Sequence, residues 1–302
     1  MLDKTLIVIV GPTGIGKTTL AIELAKHFST EIISADSRQF FKEMEIGTAK
    51  PSQEELNAAP HHFINSHSIE TLFSTGDFEI QALELIQDLF KKQDLLIMVG
   101  GSGLYIDALC NGLDDLPDTD LKIREQLKQQ LEEEGIEAIK QQLKNHDPEY
   151  YEKVDQANPQ RMVRGLEFFL STGEKLSSYQ TNSKKQRPFN IVKIGLNMDR
   201  TALYQRINDR VDQMMEAGLL EEVKGLQEYR KYNALNTVGY TELFDYLDGN
   251  STLDNAVDKI KQNTRRFAKR QLTWFRRDDN TAWFEPNESK AVILHINNIL
   301  KR

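Results

Sequence analysis

Cysteine is almost missing from this 302-residue chain, in which Cys110 stands alone. A single thiol excludes an intramolecular disulfide, and without paired cysteines there is no zinc knuckle. Cys110 is expected to be a small core residue. Long hydrophobic runs are missing as well: no stretch of about 18 apolar residues is present to span a bilayer. Residues 1–10 form a short strand pattern without the long apolar core and cleavage site of a signal peptide. A cytoplasmic protein with no membrane partner is expected. Internal repeats and low-complexity tracts are lacking. So is an excess of positive charge, since the formal balance is -8, which argues against indiscriminate coating of nucleic acid.

What the chain does contain is a glycine-rich loop in a telling context. Residues 11–18 read GPTGIGKT, after the apolar run 5–10 and before a helical pattern over 17–27. This matches GxxxxGK[ST], a loop that cradles phosphates. Gly11, Pro12, Thr13, Gly14, Ile15 and Gly16 supply a tight backbone path whose successive N–H groups point into one concavity. The helix adds its positive end beneath the same anion. Lys17 is placed to neutralise outer phosphate oxygens and Thr18 to offer its hydroxyl to Mg2+.

Strand patterns near 5–10, 31–34, 95–99 and 191–196, with helical patterns between the early ones, predict an α/β fold. It is a P-loop NTPase-like parallel sheet flanked by helices. Between 113 and 190 the chain becomes rich in Glu, Gln and Lys with helical periodicity and no clear strand. This is read as an inserted all-helical domain, leaving residues 1–112 and 191–302 as the catalytic core. Helices are expected over 200–217 and 253–277. Arg206 and Arg210 lie one turn apart on the first of these and can form an anion clamp, while Leu203, Ile207, Val211 and Met214 cover another face.

Asp36 follows the second strand, at the sheet edge where such folds bind ligands. Its carboxylate can hold magnesium through water, accept a proton from a nucleophile, or simply form a turn. The strand 95–99 ends in GGSGLY and not in the acidic residue a motor ATPase uses, which weakens an ATP-hydrolysis reading. Gly100 and Gly101 permit close backbone approach and Ser102 offers one hydrogen bond. His61 and His62 diverge in regular structure and have no further metal-ligand set, so a turn or a wall contact is expected. Residues 261–277 carry seven Lys or Arg and no acid, with Phe267, Trp274 and Phe275 interleaved. That surface suits nucleic acid or a polyphosphate, although its aromatics also fit a helix packed on a core.

Taken in order, GPTGIGKT, DSRQFFKEMEIGTAKP, PHH, VGGSGLY, NPQRMVRGLE, VGYTEL and NTRRFAKRQLTWFRR resemble the tRNA dimethylallyltransferases, over about residues 5–284. The resemblance implies transfer of a dimethylallyl group from dimethylallyl diphosphate to N6 of the adenosine just 3′ of the anticodon, with pyrophosphate leaving. It implies Asp36 as the base that aims the amine, and Thr13 to Thr18 on the donor diphosphate. Lys17 and Arg210 would meet the developing charge. It further implies tRNA contacts from Asp36, Ser37, Arg38, Gln39, Ser102, Arg124, Gln160, Arg161, Met162, Val163 and Arg164. The tRNA anticodon arm, the diphosphate donor and Mg2+ are the implied partners of a monomer. The loop departs from many members in having Gly14-Ile15 for a small polar pair, which removes a side-chain donor and no backbone donor. A small-molecule kinase would share the loop and clamp without needing the basic helix. An RNA-binding module using ATP or GTP as a switch would share the loop and helix, but the acidic strand end it would need is missing here.

Overall fold

A computed structural model describes residues 4–181 and 183–301 of the chain. Among the described residues six strands form one fully parallel sheet in the order β3-β2-β4-β1-β5-β6. The strands are β1 (Thr5–Val10), β2 (Ile32–Ser34), β3 (His61–His62), β4 (Leu95–Val99), β5 (Asn190–Leu196) and β6 (Ala282–Phe284). Every residue of β1 and β4 is buried, as expected for central strands covered on both faces. Their period-two alternation divides the core. Ile7, Ile9, Leu95 and Ile97 pack with Leu20, Leu24, Ile207 and Ile296 on one side. Leu6, Val8, Leu96 and Met98 pack with Phe40, Phe78, Ile86 and Ile106 on the other.

The edge strands were not foreseen. His61 and His62 pair with Ile32 and Ile33, so the expected turn is a two-residue strand. Ala282–Phe284 pairs with Ile194–Leu196. Cys110 is buried in the second face's core, and burial pushes its thiol up to about 12, so it behaves as the small apolar residue expected. No helix among the described residues is long and apolar enough to cross a membrane.

The chain divides into two compact units: Met1–Asn111 with Gln186–Arg302, and Gly112–Lys185. The second unit contains the helices Leu121–Glu134, Ile136–His146, Pro148–Lys153, Pro159–Thr172 and Leu176–Tyr179, and no strand among its described residues. It has its own core of Leu127, Ile139, Leu143, Met162, Leu166 and Phe168. The sequence boundary at 190 is late because Arg187 already belongs to the sheet unit. Its guanidinium donates to Glu79 at 2.6 Å and to the carbonyls of Ala108 and Leu109 at 2.7 Å each.

Candidate active site

The loop after β1 takes left-handed backbone at Gly14 (φ +78°) and Gly16 (φ +107°), where a side chain would be strained. Gly16 caps the helix Lys17–Phe28 without any side-chain cap, and the first helical turn carries no acid. The helix N-terminus therefore keeps donors and a positive dipole end for an external anion. Thr13, Gly14, Gly16, Lys17 and Thr18 line a cavity of about 520 Å3. Ile15 instead turns its side chain into the core, fully buried, so only its backbone is available to a ligand. Pro12 contributes its carbonyl, which accepts Lys17 Nζ at 2.8 Å.

Lys17 is pulled from its ordinary pKa of 10.5 to about 8. Burial is the main cause; nearby Asp36 opposes the shift and Arg210 adds to it. An ammonium held this close to losing its proton is short of negative partners. Arg206 and Arg210, from the helix Arg200–Glu216, line the same cavity, and Leu203, Ile207 and Val211 of that helix are buried. Burial also lowers Arg210, although a guanidinium stays charged.

Asp36 stands where this cavity meets a second one of about 220 Å3. Thr13, Asp36, Thr48, Ala49, Arg210 and Phe267 line both. The remaining walls of the second cavity are largely apolar, with Ile207, Val211, Met214, Leu219, Val238 and Ile260 beside Ser37, Arg38 and Ser102. Asp36 Oδ1 also accepts the Arg38 N–H at 3.1 Å, so the carboxylate forms a turn and still lines both chambers. Ser102 Oγ accepts the Ser37 N–H at 2.9 Å, tying the end of β4 to the segment after β2. Gln39 Nε2 donates to the Thr48 and Ala49 carbonyls at 3.3 and 3.2 Å.

A family model described as IPP transferase matches residues 39–278. The chain belongs to the IPP transferase family. The tRNA dimethylallyltransferase of Christiangramia forsetii is 54% identical over 292 residues, 97% of each chain. That of Flavobacterium johnsoniae is 51% identical over 298 residues, 97% of this chain and 96% of the other. The crystal structure of a full-length tRNA isopentenylpyrophosphate transferase from Bacillus halodurans superposes with a TM-score of 0.73 at 38% identity, covering 99% of this chain and 97% of that one. A eukaryotic dimethylallyltransferase, solved acting on tRNA, gives a TM-score of 0.82 at 28% identity over 99% of this chain and 80% of that one.

In this IPP transferase the residues expected to touch tRNA from the helical unit divide sharply. Met162 and Val163 bury their side chains in that unit's core, so their side chains are not on its surface. Helical periodicity turns them inward while Gln160 and Arg161 remain exposed. Arg124 and Arg164 are engaged with Glu167, whose side chain is only 2% exposed. Arg124 donates to its two oxygens at 3.1 and 2.9 Å, and Arg164 to Oε1 at 3.4 Å.

The basic helix, observed as Leu253–Phe275, is less bare in this IPP transferase than its sequence suggests. Lys261 pairs with Asp212 at 2.6 Å and Arg265 donates to Asn208 at 2.6 Å. Phe275 is buried, and Trp274 donates to Asp107 at 2.8 Å. Phe267 remains as the aromatic facing the cavities. The residue that sequence reasoning overlooked is Gln271, 6% exposed. Its Oε1 accepts the Thr13 N–H and its Nε2 donates to the Gly101 carbonyl, both at 2.8 Å. The available signal was an uncharged amide one turn from both Phe267 and Phe275 on the inner face of a cationic helix. Thr13 thus commits its backbone donor to the protein and presents the cavity with its side chain. His61, the expected wall contact, also lines the larger cavity. Its Nδ1 lies 2.8 Å from the Ala59 carbonyl and burial lowers its pKa, favouring a neutral ring.

Proposed function

We propose that the protein transfers the dimethylallyl group of dimethylallyl diphosphate to N6 of the adenosine 3′-adjacent to the anticodon of tRNA. The observation that carries this reading is the wall shared by a phosphate-loop chamber and an apolar-sided chamber, with Asp36 and Arg210 in it. The first chamber suits a diphosphate. The second suits a prenyl group and an unstacked base brought together.

The adenine amine is a weak nucleophile because its lone pair is delocalised into the ring. Asp36 accepts a hydrogen bond from N6–H and aims the nitrogen at the allylic carbon. As the C–N bond forms, the C–O bond to the diphosphate breaks and its electron pair leaves on pyrophosphate. The N6 proton passes to the Asp36 carboxylate. Lys17, the loop N–H groups and Arg210 meet the charge that grows on the leaving oxygens, contacts each worth roughly 3 kcal/mol in the barrier.

No cluster of three or more His, Cys, Asp or Glu side chains converges as a metal cage among the described residues. Thr18 and Asp36, both lining the larger cavity, are oxygen ligands of the kind Mg2+ takes, one or two from protein with phosphate oxygens and water completing its shell. Thr18 Oγ is the residue that would hold it, with Asp36 reached through water. Bound there it supplies charge neutralisation of the diphosphate. The target base must leave its stack, at a cost of a few kcal/mol that an anticodon loop lowers. Gln160 and Arg161 are the exposed contacts this reading assigns to the anticodon arm.

The deciding assay incubates the protein with Mg2+, unmodified tRNA and labelled dimethylallyl diphosphate, and in parallel with ATP labelled on its terminal phosphate. Label enters RNA from the prenyl donor alone. Phosphate transfer or nucleotide hydrolysis without prenylation would overturn the reading in favour of a kinase or a nucleotide switch.

A further inference from the structure

Two segments have no part in the reaction so far: the turn at residues 45–50, and Tyr240 at the start of the helix Tyr240–Leu247. One carboxylate joins them. Glu222, on the helix Leu219–Gly225, accepts four hydrogen bonds. Oε2 takes the N–H groups of Glu45 at 3.0 Å and Ile46 at 2.7 Å, while Oε1 takes the Gly47 N–H at 3.1 Å and the Tyr240 hydroxyl at 2.6 Å. Three successive backbone N–H groups aimed at one point form an anion nest. Here the chain fills that nest with its own side chain.

Tyr240 is fully buried, and its ring lies so close to Gly47 that a Cβ there would come within 2.6 Å of it. Burial raises the Tyr240 pKa, which keeps the hydroxyl a donor. The turn is thus gripped from behind by both residues. Its front is the active-site wall. Ala49, in left-handed backbone at φ +47°, presents its carbonyl to Arg210 Nη2 at 3.3 Å and to Gln39 Nε2 at 3.2 Å. Thr48 and Ala49 line both cavities beside Arg210.

We infer that Glu222 is a positioning residue, whose carboxylate fixes the 45–50 turn so that the Ala49 carbonyl holds Arg210 in reach of the donor diphosphate. The inference rests on the reading of the larger cavity as the diphosphate site. A glutamine cannot substitute, because three N–H groups and a hydroxyl need two acceptor oxygens and an amide brings one, with donors in place of the other.

The test is a double-mutant cycle on the full chain, read by calorimetric titration with inorganic pyrophosphate and Mg2+, with melting temperatures measured alongside. Glu222→Gln should weaken pyrophosphate binding roughly tenfold, the loss expected from a mis-set charged contact. Arg210→Ala should weaken it as well, and Glu222→Gln added to Arg210→Ala should weaken it no further. Tyr240→Phe keeps the ring and removes one donor. It should give a smaller loss that also vanishes in the Arg210→Ala background, and it decides the matter if Glu222→Gln does not fold. Additive losses, or a lowered melting temperature with affinity intact, would overturn the inference alone. Wild-type protein that binds no pyrophosphate would overturn the diphosphate reading, and this inference with it.

Discussion

Gln271 and Thr13 are far apart in sequence, yet the Gln271 side chain accepts the Thr13 backbone N–H at 2.8 Å and donates to the Gly101 carbonyl at the same distance. A Cβ added to Gly101 would fall 2.4 Å from Gln271 Nε2, so the glycine is what admits the amide. The phosphate loop is fastened to the end of β4 by a residue outside the motif. Gln271→Leu keeps the volume but leaves the buried Gly101 C=O without its donor, at about 1–3 kcal/mol, and the half-buried Thr13 N–H without its acceptor. Both melting temperature and donor affinity should fall. A loss of stability with an unchanged KM for the diphosphate donor would show that the loop keeps its shape without the amide.

With the larger cavity as the proposed diphosphate site, Lys17 should make pyrophosphate binding dependent on pH. Its pKa of about 8 in the free protein rises when an anion arrives. Affinity should be level below pH 8 and decline above it, and binding near pH 8 should take up a proton. Titrations in buffers of different ionisation enthalpy measure that uptake. The same shift has a consequence for folding. The folded pKa lies below the unfolded 10.5, so the unfolded chain binds more protons between about 8 and 10.5 and this group's contribution to stability rises with pH across that window. At neutral pH the buried charge costs up to roughly 3 kcal/mol. Lys17→Met should therefore melt higher than the wild type while losing donor binding.

Asp36 combines a turn with proposed base chemistry, and two substitutions separate them. Asparagine can still accept the Arg38 N–H but cannot take a proton. Asp36→Asn should lower kcat by about a hundredfold or more, with tRNA affinity and melting temperature close to wild type. Asp36→Ala should lose the turn as well and melt lower. Near-normal turnover by Asp36→Asn at saturating substrates would remove Asp36 as the base.

In the helical unit, stability and the proposed tRNA contact are assigned to different arginines. Removing Arg124 takes two charged hydrogen bonds from the buried Glu167 carboxylate and leaves it only Arg164 and the Thr119 hydroxyl, a loss smaller than the about 3–5 kcal/mol of a fully stranded buried charge. Arg124→Met should thus lower the melting temperature, and its tRNA defect will be mixed with unfolding. Arg161 is exposed and its side chain makes no ion pair among the described residues. Arg161→Ala should weaken tRNA binding and flatten its salt dependence by about one unit of slope while melting normally. Unchanged affinity and slope would exclude a phosphate contact there.

Much of this arrangement was legible in the residues. Central strands such as 5–10 and 95–99 announce themselves as apolar runs buried on both faces. The phosphate loop carries its geometry in its glycines. His61–His62 and Ala282–Phe284 are strands only because β2 and β5 offer them partners, and no local pattern of two or three residues encodes that. The basic helix was read by its charges, whereas Lys261 finds Asp212 on another helix. A helical count alone sends Met162 and Val163 inward from Arg161. Gln271 and Glu222 act through backbone amides far away in sequence, so pairing them required the fold.

The helical unit occupies one crossover of the sheet, since β4 ends at Val99 and β5 opens at Asn190. A crossover has only to return the chain to its next parallel position, whatever it encloses on the way. Changes in the length or surface of that excursion leave the strands that carry the glycine-rich loop and Asp36 in place.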